Sequence, residues 1–132
     1  MTVFYLCILD FEATCDENMT NNDKEQMEII EFPSVLVKVN DHKKCVKIEF
    51  ISEYSKYVKP TIHPILSDFC TKLTGIKQET VENADIIDIV YNEHKQWLAK
   101  HVPVNQKVII ATCGNWDLAT QLPREIRNKK LT

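Results

Sequence analysis

The sequence is short of glycine, of paired cysteines, of long apolar runs and of excess charge, and each shortage excludes something. Two glycines, Gly75 and Gly114, leave few places for turns that need a left-handed backbone. The five cysteines (Cys7, Cys15, Cys45, Cys70, Cys113) are odd in number and form no C-x-x-C pair. That spacing argues against a disulfide framework and against a zinc knuckle, and it fits free thiols in a reducing cytoplasmic or nuclear compartment. No apolar run approaches the ~18 residues of a membrane-spanning helix, and no basic-then-apolar leader opens the chain, so neither a membrane span nor secretion is expected. The formal net charge of −3 lacks the basic excess of a protein that grips nucleic acid through phosphates alone. A protein that holds nucleic acid through divalent metals has no such need, because the metals carry the positive charge.

What is present fits one soluble domain of 132 residues. Val3 to Leu9 is a continuous apolar run that reads as a strand ending at Asp10. Residues 16–28 are polar and read as a loop. Ile29 to Val39 is β-branched and reads as a second strand, with Pro33 suggesting a bulge or an edge. A polar turn, Asn40 to Lys44, leads to a third strand from Cys45 to about Ile51.

Helical spacing follows. Leu66, Phe69, Cys70 and Leu73 fall at i, i+3, i+4 and i+7, with Ser67 or Asp68 as cap and Gly75 as stop. A short helix is expected over Lys77–Asn83 and a longer one over Asp85–Lys100, whose stripe is Ile86, Ile89, Val90, Trp97 and Leu98. Val108 to Cys113 reads as a second fully buried strand, and helix is expected again from Asp117, broken by Pro123. Three strands joined by short turns, then a helical crossover to a fourth, predict an α/β mixed sheet with an antiparallel front. This is the front part of a ribonuclease-H-like architecture.

Asp10 and Glu12 stand two apart at the end of the first strand, so both carboxylates project from one face. Two like charges so placed repel unless a cation lies between them. Mg²⁺ takes oxygen ligands of this kind, and a metal pair can drive an in-line attack on a phosphodiester. Surface acids at a strand end are the plainer explanation of D-x-E alone. Asp117 adds weight, because it follows the second apolar strand through Gly114-Asn115-Trp116 and would reach the same sheet end. Its plainer explanation is an acid favoured in the first turn of a helix.

Four blocks occur in order: Asp10-Phe11-Glu12-Ala13-Thr14-Cys15; Glu28-Ile29-Ile30-Glu31-Phe32-Pro33; Leu66-Ser67-Asp68-Phe69-Cys70 through Leu73-Thr74-Gly75-Ile76; and Cys113-Gly114-Asn115-Trp116-Asp117. Together they closely resemble the Eri-type, or 3′ histone-mRNA, exoribonucleases of the DEDDh 3′→5′ exonuclease superfamily. The resemblance implies a two-metal Mg²⁺ or Mn²⁺ site that hydrolyses the 3′ ends of single-stranded RNA. It assigns Asp10, Glu12 and Asp117 as catalytic metal ligands. It also assigns Phe11, Ala13, Thr14, Leu73, Thr74, Gly75 and Trp116 to the terminal nucleotide. Packing is the alternative duty for Phe11, Leu73 and Trp116. Glu31 is read as structural, its carboxylate bonded to backbone.

The pattern breaks after Asp117. The family's third motif, His-x-x-x-x-Asp, supplies the general base and a fourth metal ligand, and the last fifteen residues contain neither His nor Asp. His63 and Asp68 have the right spacing but lie upstream, and His42, His94 and His101 have no aspartate five residues on. The chain is therefore expected to be a C-terminally truncated exonuclease domain over residues 1–132, weakly active or completed by a partner. Uncovered apolar sheet would then favour self-association or a covering chain. The alternative function is an inactive module that binds RNA or protein.

Overall fold

The computed structural model describes residues 2–132. Its elements in order are β1 (Thr2–Leu9), β2 (Glu12–Ala13), α1 (Asn21–Glu25), β3 (Ile29–His42), β4 (Cys45–Tyr57), α2 (Asp68–Thr74), α3 (Gln78–Glu82), α4 (Ile87–His101), β5 (Val108–Ala111), and α5 (Leu122–Lys129). A π-helical turn, Trp116–Gln121, runs directly into α5.

The expected mixed sheet is present. β3 is its spine, paired antiparallel with β1, β2 and β4, and β5 lies parallel beside β1. A two-residue turn, Lys43-Lys44, joins β3 to β4, and both strands run longer than their apolar patterns suggest. Cross-strand pairing carries them through the polar residues 52–57. The bulge falls at Leu36/Val37 rather than at Pro33, which lies just past the end of β1 pairing at Leu9↔Ser34.

Alternation along the first strand sets the geometry of everything that follows. Tyr5, Cys7, Leu9, Phe11 and Ala13 are buried, so Leu6, Ile8, Asp10 and Glu12 project from the other face. On the buried face Leu9, Phe11, Ile29, Phe32 and Val58 pack against Ile87 and Val90 of α4. Tyr5, Cys7 and Leu36 continue the core towards Trp97 and Leu98.

Four expectations need correction. The stripe of α4 is wrong only in its first turn: Val90, Trp97 and Leu98 pack inward as expected and Ile87 and His94 join them, while Ile86 and Ile89 are exposed. Ile86 is the residue that precedes the helix, so the 3.6-residue phase starts one position later. His94 can take a core place because its Nε2 lies 2.8 Å from Ser34 Oγ, and burial pushes its pKa down to about 4. Residues 16–28 are not all loop, since Thr20 and Asp23 form a reciprocal capping box that starts α1. Pro123 does not break the last helix; it lies in the first turn of α5, where the helical path continues directly from the π-helical turn before it.

The fourth correction concerns β5. It is not buried on both faces: Val108, Ile109 and Ile110 are each about 40% exposed. Ile109, paired with Leu6, extends an open face with Ile8, Val35, Ile48 and Phe50, opposite the face that α4 covers, while Val108 and Ile110 pair with Tyr5 and Cys7 on the α4 side. The caps of α2 are as expected: the Ser67 hydroxyl accepts from the Cys70 N–H at 3.0 Å, and Gly75 ends the helix at φ 75°. Among the described residues no helix is long and apolar enough to cross a membrane, and all five cysteines are free.

Candidate metal and nucleotide site

Asp10 and Glu12 leave the C-terminal end of β1 on the open face, Asp10 exposed and Glu12 half-buried. Asp117 arrives from the π-helical turn after β5, and its Oδ2 accepts the Phe11 N–H at 2.8 Å. That bond spans 106 residues of sequence and ties the third carboxylate to the backbone of the residue that separates the other two. Asp117 is buried, and a buried carboxylate needs such a donor to offset lost hydration. Parallel pairing of β1 with β5, Ile8 opposite Ala111, brings the two segments to one sheet end.

The electrostatics identify a fourth acid. Glu12 is pushed above the ordinary carboxylate range by burial first, then by the charges of Asp10, Glu31 and Asp117. Glu31 sits directly across from Glu12 in the β2–β3 pairing. It therefore belongs to the acid cluster, and the backbone-binding duty expected of it belongs to Glu28. The signal in the sequence was Glu31's odd offset from Glu28, which turns the two side chains to opposite sides of the extended chain that enters β3.

All these donors are carboxylate oxygens, the chemistry a hard divalent cation takes. Among the described residues, however, no three His, Cys, Asp or Glu side chains are drawn into a ready-made metal group. Asp117 points one oxygen at Phe11, and the exposed Asp10 is not held against it. The residues fit a divalent cation in kind and in neighbourhood.

The residues assigned to the nucleotide divide into two groups. Thr14 accepts the Glu28 N–H at 2.9 Å on its hydroxyl oxygen, which leaves the hydroxyl hydrogen to donate. Leu73 is 66% exposed, so it is not part of its helix's core and presents apolar surface to solvent. Thr74 is committed locally, donating to Cys70 O at 2.8 Å and accepting from the Ile76 N–H. Gly75 holds the left-handed cap, and Ala13 is buried with its carbonyl towards Cys70. Phe11 is core, its ring 4.6 Å from that of Phe32, and its N–H is the anchor for Asp117. Trp116 packs at the margin of the same core. A pocket of about 270 Å³ opens from Thr14 and Cys15 to His63, Leu66 and Cys70, and none of the three ligand acids lines it.

Helix α5 holds the π-helical turn in place through polar contacts. Gln121 donates to Met27 O at 2.8 Å, Arg124 reaches Lys24 O, and Asn128 donates to Glu25 O. Lys129 pairs with Glu28 at 2.6 Å. Glu125 accepts from the Ile29 N–H at 3.1 Å and from Gln121, and burial pushes its pKa up to about 7. Because this lies above the usual 4.5, the stability Glu125 contributes is present below pH 4.5 and lost as pH rises through 7. Glu125→Gln keeps an acceptor for both donors. It is expected to stabilise the fold by on the order of 2 kcal/mol at pH 8 and to do little at pH 4.5. Urea unfolding at both pH values tests this, and equal effects at the two would contradict it.

A mixed sheet with this strand order, and with acids at the end of its first strand, is the layout of the DEDDh nucleases within the ribonuclease-H-like fold. The exonuclease family model (RNase_T) matches residues 7–131, and the chain belongs to that family. It is 40% identical over 121 residues to ERI1 exoribonuclease 3 of Homo sapiens, covering 90% of this chain and 33% of that protein. It is 38% identical over 128 residues to 3′-5′ exoribonuclease 1 of Mus musculus, covering 96% of this chain and 35% of that protein. The chain thus spans about a third of the length of these curated relatives. Among solved structures, the nuclease domain of 3′hExo bound to rAMP superimposes with a TM-score of 0.80 at 36% identity, covering 97% of this chain and 60% of that one. The 3′-exonuclease that recognises the 3′ end of the histone mRNA stem-loop gives the same score and identity, covering 97% of this chain and 42% of that one.

Proposed function

We propose that the chain carries the metal-holding and nucleotide-holding part of a 3′→5′ exoribonuclease that hydrolyses single-stranded RNA from its 3′ end. The observation that carries this reading is the Asp117–Phe11 bond, which sets a third carboxylate beside Asp10 and Glu12. Asp10, Glu12 and Asp117 would hold Mg²⁺ or Mn²⁺, and a bound pair supplies Lewis-acid activation of the attacking water and of the leaving oxygen. Thr14 offers its free hydroxyl hydrogen, and Leu73 an apolar surface, to the terminal nucleotide.

None of the four histidines is placed as the base: His42 ends β3 at the sheet end opposite Asp10, His94 is buried in the aromatic core, His63 Nε2 lies 2.8 Å from Gln26 Oε1, and His101 Nδ1 lies 2.9 Å from Trp97 O. Asp10 and Glu12 project from the open apolar face, so a polypeptide segment that covers Ile8, Ile109 and Phe50 would stand beside them. Full activity is expected when such a segment brings a histidine and a further metal-ligating aspartate; a positioned base is worth ~10²–10⁴-fold in rate.

The absence of a ready three-ligand group among the described residues favours a second reading, in which the chain binds RNA 3′ ends without cutting. One assay separates the two. The chain is incubated with 5′-labelled single-stranded RNA and Mn²⁺, and 5′-nucleotide release is followed beside RNA binding. Slow Mn²⁺-dependent shortening from the 3′ end supports the enzyme; binding with no shortening supports the module. Neither binding nor shortening would remove both.

A further inference from the structure

Glu28 is 1% exposed, and both its carboxylate oxygens are filled. Oε2 accepts from the Thr61 N–H at 2.7 Å, from the Thr61 hydroxyl at 3.3 Å and from Lys129 Nζ at 2.6 Å. Oε1 accepts from the Ile62 N–H at 2.8 Å and the His63 N–H at 2.9 Å. Burial pushes this carboxyl up, and Lys129 together with the Thr61 and His63 N–H groups outweighs burial and holds it below its usual range.

The backbone of Glu28 is bound as firmly. Its N–H donates to Thr14 Oγ1 at 2.9 Å, and its carbonyl accepts the Thr14 N–H at 2.8 Å. This two-bond clip grips the chain two residues beyond Glu12. On the far side, Lys129 belongs to α5, which continues from the turn carrying Asp117. One residue thus links the Thr14 segment, through its backbone, with the 61–63 loop and, through its carboxylate, with the helix that follows the turn bearing Asp117.

We propose that Glu28, with Lys129 as its counter-ion, is a positioning residue for the candidate site. It sets the register of Thr14 on one side and, through α5, of Asp117 on the other. The inference rests on the metal-site reading above. A buried ion pair adds little stability over well-packed apolar residues, so a clamp serving stability alone would not need one. What a fully bonded carboxylate adds is a fixed register between segments distant in sequence. Both segments it fixes end at groups assigned to cation or nucleotide. The Glu28 N–H holds the Thr14 hydroxyl oxygen in place while leaving its hydrogen free to donate.

The test uses the whole chain, with Mn²⁺ alone and AMP as probes. Glu28→Gln and Lys129→Met are compared with the unmodified chain well below each variant's melting temperature. Loss of supporting contacts around ligands typically weakens metal affinity ~10–100-fold. Each variant is therefore expected to bind Mn²⁺ about tenfold more weakly and AMP correspondingly less, with Lys129→Arg restoring most of the loss. Should Glu28→Gln fail to fold, Lys129→Met carries the test, since it leaves the loop bonds of Glu28 in place. Hydrogen exchange at the Phe11 amide should also quicken in the variants, reporting a loosened Asp117. Lowered melting temperatures with unchanged Mn²⁺ affinity and unchanged Phe11 exchange would make Glu28 a structural clamp only and overturn the inference. No Mn²⁺ binding by the unmodified chain would overturn the metal site itself, and this inference with it.

Discussion

Asp10→Ala is expected to abolish Mn²⁺-dependent nucleotide release and to raise, not lower, the stability of the metal-free chain. Asp10 is exposed and its charge bears on Glu12, already strained by burial and by Glu31 and Asp117. Removing it relieves repulsion, by about 0.5 kcal/mol for a charge so close to solvent. The catalytic cost runs the other way. Charge stabilisation at the reacting phosphate is a leading source of rate, and loss of one preorganised partner typically costs ~10²–10³-fold. A metal ligand removed with no replacement should cost at least that. Where the chain binds without cutting, Mn²⁺ affinity takes the place of rate as the readout, and a fall of more than about tenfold is expected. Thermal unfolding of the metal-free variant beside the RNA assay gives both signs. Unchanged turnover or unchanged Mn²⁺ affinity would take Asp10 out of the site.

The second large effect is Phe32→Ala. Phe32 is 1% exposed, its ring 4.6 Å from that of Phe11 and 4.7 Å from that of His94, with Tyr54 edge-on at 6.4 Å. Truncation removes a ring from the centre of the main core and leaves a cavity that β3 and α4 cannot close without moving. Such changes cost about 3–5 kcal/mol, a large share of the ~5–15 kcal/mol that holds a domain together. The damage should reach the site. Phe11 loses its packing partner, and the Phe11 N–H is what orients Asp117. Urea unfolding should show the loss, and Mn²⁺ affinity of the folded fraction should weaken as well. A cost below about 1 kcal/mol would mean that this cluster is not the principal core.

Much of the site was legible because it depends on local rules. Period-two alternation in the first strand put Asp10 and Glu12 on one face, and the burial of Tyr5, Cys7, Leu9, Phe11 and Ala13 follows that alternation. Ser67 and Gly75 marked the ends of α2 by cap chemistry, which needs only neighbouring residues. Glu28 and Glu31 were harder. Both are acids in one apolar block, and only the strand's flanking partners reveal that Glu31 faces Glu12 while Glu28 meets the 61–63 loop and Lys129.

Helix phase was harder still. Ile86 and Ile89 are as apolar as Ile87 and Val90, so composition could not say where α4 begins. His94 gave no sign of being core until Ser34 of a distant strand supplied its partner. Leu73 fits its helix's apolar stripe in sequence, yet nothing packs over it.

The metal-site hypothesis illustrates both sides of this division. The sequence was enough to place two carboxylates on one face of a strand, to expect the mixed sheet, and to show that residues 118–132 hold neither a histidine nor an aspartate. These are matters of period, cap and count, which are properties of neighbours along the chain. Tertiary structure alone decided that Asp117 closes on the Phe11 N–H across 106 residues and that Glu31 joins the acids. It also decided that α5 docks through polar contacts, and that the face bearing Asp10 and Glu12 is open and apolar. Those outcomes depend on which surfaces meet when distant segments pack, and a side chain's identity does not specify the partner it will find.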